Sequence, residues 1–452
     1  MADPLAPQFK WGGPGELKDL AESLSLSIHT SEDVSVLAEP VRVGPLTAPN
    51  SLAVHPMEGC DGDADGRPGE LTARRYRRFA AGGAGLIWAE AIAVLPEARA
   101  NPRQLWLNKR NRDDFARLFG GLRGCAVEGR GAGGRPIVVA QLTHSGRHSR
   151  PRPIIVQHDP MRDAYVNVPG DYSVATDEYL DRVQEAFVAA ARLAFEAGFD
   201  AVDIKACHGY LIGELLAAHT REGRYGGSFE NRTRFLLDVI DRIHSELGED
   251  RMVVTRLGVF DAVPYPHGWG VDRDDPTRPD LTEPKRLMAC LAERRVPMVN
   301  VTLASPYYNP HYGRPYERPA AGGYESPEHP LVGVCRAIDL AGEMQAAFPG
   351  IAVVGTGYSW LRTLLPHVGA WSKSSGRATF IGAGRLALAY PDFAADIIRT
   401  GRLDPQKVCV CCSGCTEIMR DGGMAGCVVR DSAIYGPILR QGRSKRQGRG
   451  PA

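Results

Sequence analysis

The sequence lacks the features that would place the protein in a membrane or on a polyanion. No apolar run approaches the roughly 18 residues of a membrane span, and the first twenty residues contain no apolar core of the kind that a secretory signal needs. Lys and Arg number 54 against 53 Asp and Glu, so a net charge of +1 creates no field that favours nucleic acid. We therefore expect a cytoplasmic protein that binds a small-molecule substrate, with no nucleic-acid or membrane partner. A homo-oligomer is compatible with this composition.

Cysteine is sparse outside one short segment. Five of the ten cysteines lie in CVCCSGCTEIMRDGGMAGC, between Cys409 and Cys427. Disulfides are rare in the cytoplasm, where clustered thiols usually bind metal or react. The segment therefore predicts either a metal site, which alone would make a non-catalytic metal-binding module, or reduced and unliganded thiols.

Short apolar runs rich in β-branched residues alternate with amphipathic stretches long enough for helices. The runs predict eight strands, at 51–57, 85–94, 136–144, 201–208, 252–259, 298–304, 351–357 and 378–384. Helices are predicted near 72–82, 111–129, 176–197, 211–219, 231–247, 283–295, 330–347, 359–368 and 392–401. Continuous apolar strands that alternate with helices are typical of buried parallel strands. A count of eight favours an α/β fold of the closed (β/α)8 type, a TIM barrel, over an open sheet.

The chain divides into a barrel and three flanking segments. We expect an N-terminal extension over residues 1–40, the barrel over 41–404, a Cys-rich segment over 405–435 and a basic, disordered tail over 436–452. Three strand-to-helix connections are unusually long and rich in aromatic residues, at 147–173, 261–280 and 305–330. Connections of this length are usually functional, so we expect them to form lids around a pocket.

Polar residues gather where the predicted strands end, which is where barrel enzymes have their active sites. The last two strands end in VVGTG and FIGAGR. Glycines at Gly357 and Gly384 would let backbone N–H groups approach a phosphate, and Arg385 would add a charged partner; tight turns would give the same pattern. Gln141 and Arg256 lie within strands, where a buried arginine implies an electron-rich partner such as a flavin edge, or else a structural salt bridge.

The segment KACHGY places Lys205, His208 and Tyr210 within six residues, as the chain leaves the fourth strand. Lys205 and His208 have the chemistry to hold a carbonyl or carboxylate oxygen. A phenol with a pKa near 10 is suited to giving a proton to a carbanion. Polar surface residues would give the same pattern, and Lys205 would also suit a Schiff base in a lyase or aldolase barrel.

Three motifs carry a resemblance to a known family. HGYLIGELLAAHTREGRYGGSFENRTRF (208–235) resembles the signature of the old yellow enzyme family of FMN-dependent oxidoreductases, and AQLTHSGR (140–147) and WAEAIAV (88–94) resemble its strand motifs. The resemblance extends from about residue 40 to 430, and it implies a (β/α)8 barrel with FMN at its C-terminal face. By position, the flavin ring would be held by Pro56, Met57, Glu58, Ala91, Gln141 and Arg256, and the phosphate by Gly357, Gly384 and Arg385. Lys205 and His208 match the pair that binds the substrate oxygen, and Tyr210 matches the proton donor.

The implied activity is NAD(P)H-dependent reduction of an activated C=C bond, with hydride delivered from flavin N5 and a proton from Tyr210. Two positions depart from the family pattern: Lys205 stands where histidine is usual, and Glu58 where Thr, Cys or Gly is common. A carboxylate near flavin N5, together with tyrosines at 307, 308 and 312, could cradle a cationic substrate. The alternative function is therefore a dehydrogenase or demethylase of an amine or ring substrate.

The cysteine spacing resembles the cluster-bearing branch of the same family, which includes trimethylamine dehydrogenase and 2,4-dienoyl-CoA reductase. The pattern Cys409-x2-Cys412-x2-Cys415-x11-Cys427 implies a 4Fe–4S cluster. Zinc on the same thiols and reduced, unliganded cysteines remain alternatives, and Cys411 has no role in this pattern. That branch continues into flavin- and nucleotide-binding domains, whereas this sequence ends at Ala452. If a cluster is present, we expect a separate redox protein as its electron partner.

Overall fold

The computed structural model describes residues 11–125 and 134–447. Its strands are β1 Val41–Val43, β2 Leu46–Ala48, β3 Leu52–Val54, β4 Leu86–Ala93, β5 Ile137–Thr143, β6 Ala201–Ile204, β7 Met252–Phe260, β8 Met298–Leu303, β9 Ala352–Gly355 and β10 Phe380–Ala383. Strands β3 to β10 pair in parallel in chain order, and β10 closes the barrel against β3. The predicted (β/α)8 barrel is confirmed.

The alternation of side chains along the strands separates two cores. Val138, Ala140 and Leu142 of β5 face the surrounding helices, whereas Ile137 and Val139 face the barrel axis. The antiparallel hairpin of β1 and β2, which the sequence did not predict, packs Val41, Val43 and Ala48 into the axial core. An apolar plug therefore fills the N-terminal end of the barrel, and the polar residues of the strands are left for the C-terminal end.

Helices surround the barrel. Their bounds are Pro14–Ser23, Glu70–Ala81, Arg112–Phe115, Leu122–Cys125, Pro160–Val166, Asp177–Glu196, Leu211–Leu216, Phe229–Leu247, Thr282–Glu293, Pro310–Gly313, Pro330–Ala347, Leu365–Ser374, Arg385–Ala389, Phe393–Thr400, Gly414–Arg420 and Ser432–Gln447. Helical turns of other types span Ser35–Ala38, Pro96–Ala98, Ala116–Gly120, Gly146–His148 and Tyr358–Leu364. Within the described residues, no helix combines the length and the apolar character that crossing a membrane requires.

The helix Asp177–Glu196 shows how local sequence sets these elements. The side chain of Thr176 accepts a hydrogen bond from the backbone N–H of Tyr179, which caps the first turn. Val183 and Phe187 are buried at helical spacing, and Gly198, with a φ of +90°, turns the chain out of the helix. The predicted bounds of 176–197 agree to within one residue at each end.

Two predictions of secondary structure need correction. The helix predicted over 111–129 is interrupted by a wider turn at Ala116–Gly120, and residues 126–133 lie outside the described residues. The tail predicted to be disordered is helical from Ser432 to Gln447. Tyr435 and Leu439 pack against Ile418, and Arg443 and Arg446 form ion pairs with Glu417. These contacts stabilise the helix, which the basic composition of the segment did not indicate. Residues 448–452 lie outside the described residues.

Candidate active site

A cavity of about 420 Å³ opens at the C-terminal ends of the barrel strands. It is lined by nearly all the residues that the sequence nominated, namely Pro56, Met57, Glu58, Gln141, Lys205, His208, Tyr210, Arg256, Gly357, Gly384 and Arg385. Ala91 is not among the lining residues; it lies buried within β4, paired with Gln141. Of the three long connections, 147–173 contributes Tyr165 and 305–330 contributes Tyr307 and Arg314, whereas 261–280 contributes none.

One end of the cavity carries a buried cation and an amide. Gln141, Asp203 and Arg256 continue the axis-facing alternation of β5, β6 and β7, so the three side chains meet above the apolar plug. The Asp203 carboxylate accepts hydrogen bonds from Gln141 Nε2 at 2.7 Å and from the backbone N–H of Arg256 at 2.6 Å. Burial raises the pKa of Asp203 to about 6.

The guanidinium of Arg256 remains available at this end. Its Nε is buried without a hydrogen-bond partner, and burial lowers its pKa. A buried donor without a partner is costly, so this position is suited to an electron-rich ligand edge. Asp203, which orients Gln141, was missed by the sequence analysis; its signal was a lone carboxylate within the apolar run AVDIK.

The loop after β3 holds Glu58 in place. The backbone N–H of Gly59 donates to Glu90 Oε2 at 2.8 Å, and the Arg75 guanidinium is buried between Glu90 and Asp61. Burial raises the pKa of Glu90 to about 7, although Arg75 opposes the shift. A Cβ atom at Gly59 would lie 2.2 Å from the Arg75 guanidinium, so a side chain there would displace an arginine that two carboxylates hold in place. The loop is therefore fixed by contacts that do not involve the Glu58 side chain.

Four polar side chains meet in the wall of the cavity. The Tyr210 hydroxyl donates to Glu58 Oε1 at 2.9 Å, and it shares a 2.8 Å hydrogen bond with the Tyr307 hydroxyl. Lys205 Nζ lies 3.8 Å from Glu58 Oε1 and 3.6 Å from the centre of the Tyr210 ring. Burial, and then the negative charge of Glu58, raise the pKa of Tyr210 well above its ordinary value. The Tyr210 hydroxyl is therefore protonated before the reaction and can act as an acid.

Lys205 and His208 offer N–H groups to the same space. His208 has a φ of +65°, and its Nε2 lies 3.2 Å from the Thr302 hydroxyl. Burial, followed by the charges of Arg256 and Lys205, lowers the pKa of His208 far below its ordinary value, so the ring is neutral. Burial also lowers the pKa of Lys205, against the opposing effect of Glu58. A neutral imidazole and an ammonium group are suited to holding one oxygen atom between them.

The predicted tyrosine cradle is only partly present. Tyr307 lines the cavity and stacks on His148, with ring centres 3.9 Å apart. Tyr308 and Tyr312 are not among the lining residues. The Tyr312 ring already contacts the Arg336 guanidinium, whose carbon lies 4.6 Å from its centre. A cation in the cavity would therefore meet Glu58 and Tyr307.

The opposite end of the cavity is cationic. Gly357 has a φ of +96°, and Gly384 begins the turn that leads into Arg385. Arg314 and Arg385 both line the cavity, and each has a buried N–H group without a partner. Burial, and then the charge of Arg385, lower the pKa of Arg314 to about 10. A guanidinium whose protonation is disfavoured by a second guanidinium nearby is suited to pairing with an anion. Arg314 was missed because its signal lay in an irregular loop.

The cysteine segment lies beside this cationic end. Cys415 lines the cavity, and Gly422, with a φ of +72°, lies in the turn between Cys415 and Cys427. Backbone N–H groups donate to the sulfurs of Cys409 at 3.4 Å and Cys427 at 3.3 Å. All nine cysteines that the structure describes are free thiols. Yet among the described residues, no three His, Cys, Asp or Glu side chains are arranged to hold a metal ion.

The sequence model of the NADH:flavin oxidoreductase / NADH oxidase family matches residues 36–268. The chain belongs to this family. An NADPH dehydrogenase of Clostridium acetobutylicum is 29% identical over 229 residues, which cover 49% of this chain and 62% of that protein. An NADH oxidase of Thermoanaerobacter brockii is 28% identical over 390 residues, covering 83% of this chain and 52% of the oxidase. The chain thus spans less than two thirds of the length of either relative.

Solved structures with the same fold are more distant in sequence. A complex of 2-naphthoyl-CoA reductase has a TM-score of 0.70 at 19% identity, over 90% of this chain and 58% of that one. Histamine dehydrogenase from Rhizobium sp. 4-9 has a TM-score of 0.65 at 18% identity, over 88% and 52%. The old yellow enzyme homologue from Zymomonas mobilis has a TM-score of 0.58 at 20% identity, over 82% and 94%. These structural similarities support the barrel fold of this chain.

Proposed function

We propose that the protein is an FMN-dependent oxidoreductase that uses NAD(P)H to reduce an activated C=C bond. The observation that carries the proposal is the placement of charged and polar groups in one cavity. A buried cation and amide, Arg256 and Gln141, lie at one end, and two arginines beside glycine turns lie at the other. This arrangement of charged groups suits a ligand with an electron-rich ring and a phosphate group. The family match, and the names of relatives that oxidise NADH or NADPH, support the same conclusion.

The chain's own residues would perform four tasks around bound FMN, which would supply hydride to the substrate. Arg256 would place a positive charge beside the ring edge, and Gln141 would hydrogen-bond to it. Lys205 and His208 would hold the substrate carbonyl oxygen and stabilise negative charge that develops there. Tyr210 would give a proton to the carbon next to that carbonyl. Pro56 and Met57 would pack against the ring.

A second candidate is oxidation of an amine, with electrons passed to a partner protein. Glu58 favours it, because a carboxylate in the cavity is suited to a cationic substrate, and Tyr307 offers an aromatic face beside it. The two functions differ in direction. NADPH should bleach the flavin anaerobically, and 2-cyclohexen-1-one should then restore its colour if the ene-reductase assignment is correct. Bleaching by histamine or trimethylamine, without nicotinamide, would favour the dehydrogenase. A Schiff-base lyase is not proposed, because the family match points to flavin chemistry.

We also propose, separately, that Cys409, Cys412, Cys415 and Cys427 bind a 4Fe–4S cluster. The spacing and the N–H groups that donate to two of the sulfurs support this assignment, although the described side chains are not gathered for metal binding. Protein prepared anaerobically with iron should contain about four irons and four sulfides per chain. Replacing any of the four with Ser should lower both, and Cys411→Ser should not. Protein without iron under these conditions would contradict the assignment, and zinc in its place would indicate a structural site. A cytoplasmic location stays a prediction.

A further inference from the structure

We propose that Glu58 is a proton-relay residue that returns to Tyr210 the proton that Tyr210 gives to substrate. The inference rests on the proposed function and deepens it, because it assigns to Glu58 a role other than cofactor binding. It also names the acid that recharges the active site. The relay comprises Glu58, Tyr210 and Lys205, with Tyr307 as the second partner of the tyrosine.

The hydrogen bonds at Tyr210 fix the direction of its proton. An ionised carboxylate only accepts, so the 2.9 Å contact uses the single proton of the Tyr210 hydroxyl. Tyr307, at 2.8 Å, must then donate to Tyr210. In this state the proton of Tyr210 points at Glu58 and not at the substrate. The proton becomes free to move only when Glu58 is protonated and itself donates to Tyr210.

The proton transfer balances within this group. The O–H bond of Tyr210 breaks as a C–H bond forms on the substrate, and the O–H bond of the Glu58 carboxyl then breaks as that of Tyr210 forms again. Lys205, 3.6 Å from the centre of the tyrosine ring and 3.8 Å from Glu58, stabilises the negative charge on either oxygen. The Glu58 side chain is 15% exposed and that of Lys205 only 4%, so Glu58 is the member placed to take a proton from water.

A purely structural role for Glu58 is disfavoured by the way its loop is anchored. The neighbouring Gly59 is held through its N–H by Glu90, and its carbonyl accepts from the N–H of Ala425 at 2.6 Å. The Glu58 side chain is therefore not needed to position the backbone. Besides Glu58, the titratable groups that face Tyr210 are Lys205, Tyr307 and, with ring centres 5.8 Å apart, His148.

The decisive variant is Glu58→Gln, because glutamine keeps an oxygen that accepts from Tyr210 but has no proton to return. With NADPH and 2-cyclohexen-1-one as probes, we expect substrate reduction to slow at least about 10-fold, since a positioned acid typically contributes about 10²–10⁴-fold. Flavin reduction by NADPH should change little.

Added formate should restore the rate of substrate reduction by Glu58→Ala, and the restored rate should rise with the fraction of formate that is protonated. Tyr307→Phe, which removes the other partner of Tyr210 and leaves Glu58 in place, is the matched control and should lose less. A Glu58→Gln rate close to wild type, or Glu58→Ala that formate does not rescue, would overturn the proposal.

A second readout needs neither flavin nor substrate. Glu58 raises the pKa of Tyr210 through its charge, so NMR titration of isotopically labelled tyrosine in the flavin-free protein should show a lower Tyr210 pKa in Glu58→Gln. An unchanged pKa would show that the two groups are not coupled and would refute the relay. Wild-type protein that binds no flavin would instead refute the proposed function, while this titration still decides whether Glu58 and Tyr210 are coupled.

Discussion

Replacing Arg314 with methionine should weaken FMN binding and at the same time stabilise the flavin-free protein. Methionine keeps the length of the side chain and removes its charge. Without an anion, Arg314 and Arg385 are neighbouring like charges, and each has one buried N–H group that lacks a partner. Burial, and then the charge of Arg385, lower the pKa of Arg314, which reports that penalty. At neutral pH the group is charged in both the folded and the unfolded state, so the penalty is fully present. Removing one charge relieves it, at the cost of the Arg314 hydrogen bond to Thr416.

The expected magnitudes follow from ordinary interaction energies. A hydrogen bond to a charged group contributes about 1.5–3 kcal/mol, which corresponds to about a 10- to 150-fold increase in the Kd for FMN. Riboflavin, which lacks the phosphate, should bind the variant and the wild type about equally. Replacing an uncompensated buried charge with an apolar group is expected to raise the unfolding free energy of the flavin-free protein by on the order of 1 kcal/mol.

Calorimetric titration of flavin-free protein with FMN and with riboflavin measures the first effect, and thermal unfolding measures the second. Arg295→Met is the matched control. Arg295 lies beyond the opposite end of the barrel, its side chain is 81% exposed, and it pairs with Glu249. Equal losses of FMN and riboflavin affinity, or no loss for either ligand, would refute a phosphate site at Arg314.

Two further outcomes test the active-site geometry. Tyr210→Phe should slow reduction of 2-cyclohexen-1-one by about 10²–10⁴-fold while it leaves flavin reduction by NADPH nearly unchanged; equal effects on both half-reactions in stopped-flow traces would remove Tyr210 as the proton donor. Gly59→Ala should destabilise the protein by about 1–3 kcal/mol in chemical denaturation, because the new Cβ would overlap an Arg75 side chain pinned between Asp61 and Glu90. An alanine variant as stable as the wild type would show that Arg75 can move away from the new Cβ atom without loss of stability.

The strands, and the position of several candidate site residues in the cavity, could be predicted because two local patterns coincide. Apolar runs mark the buried strands, and the alternation of side chains then decides which polar residue faces the axis. Gln141 follows Ile137 and Val139 on the axis-facing side of β5, so its place in the cavity is implicit in the sequence. The glycine turns at Gly357 and Gly384 are equally local.

The features that the sequence did not predict depend on contacts between distant segments. The bond between Glu58 and Tyr210 joins residues 152 positions apart, and the role of Arg314 depends on where a long irregular loop returns to the barrel. The tail helix was missed because its stabilising partner, Glu417, lies in a different helix. Amino-acid composition gives the net charge of a segment. The conformation of that segment also depends on which opposite charges lie nearby in the folded protein.

The cofactor of the purified protein tests the central claim most directly. Heat should release a single yellow compound that co-migrates with FMN in chromatography, because Arg314 and Arg385 offer one phosphate site beside the glycine turns at Gly357 and Gly384. The ratio of released FMN to protein should approach one after reconstitution. FAD as the released species, or a colourless protein that binds no FMN in titration, would contradict the account.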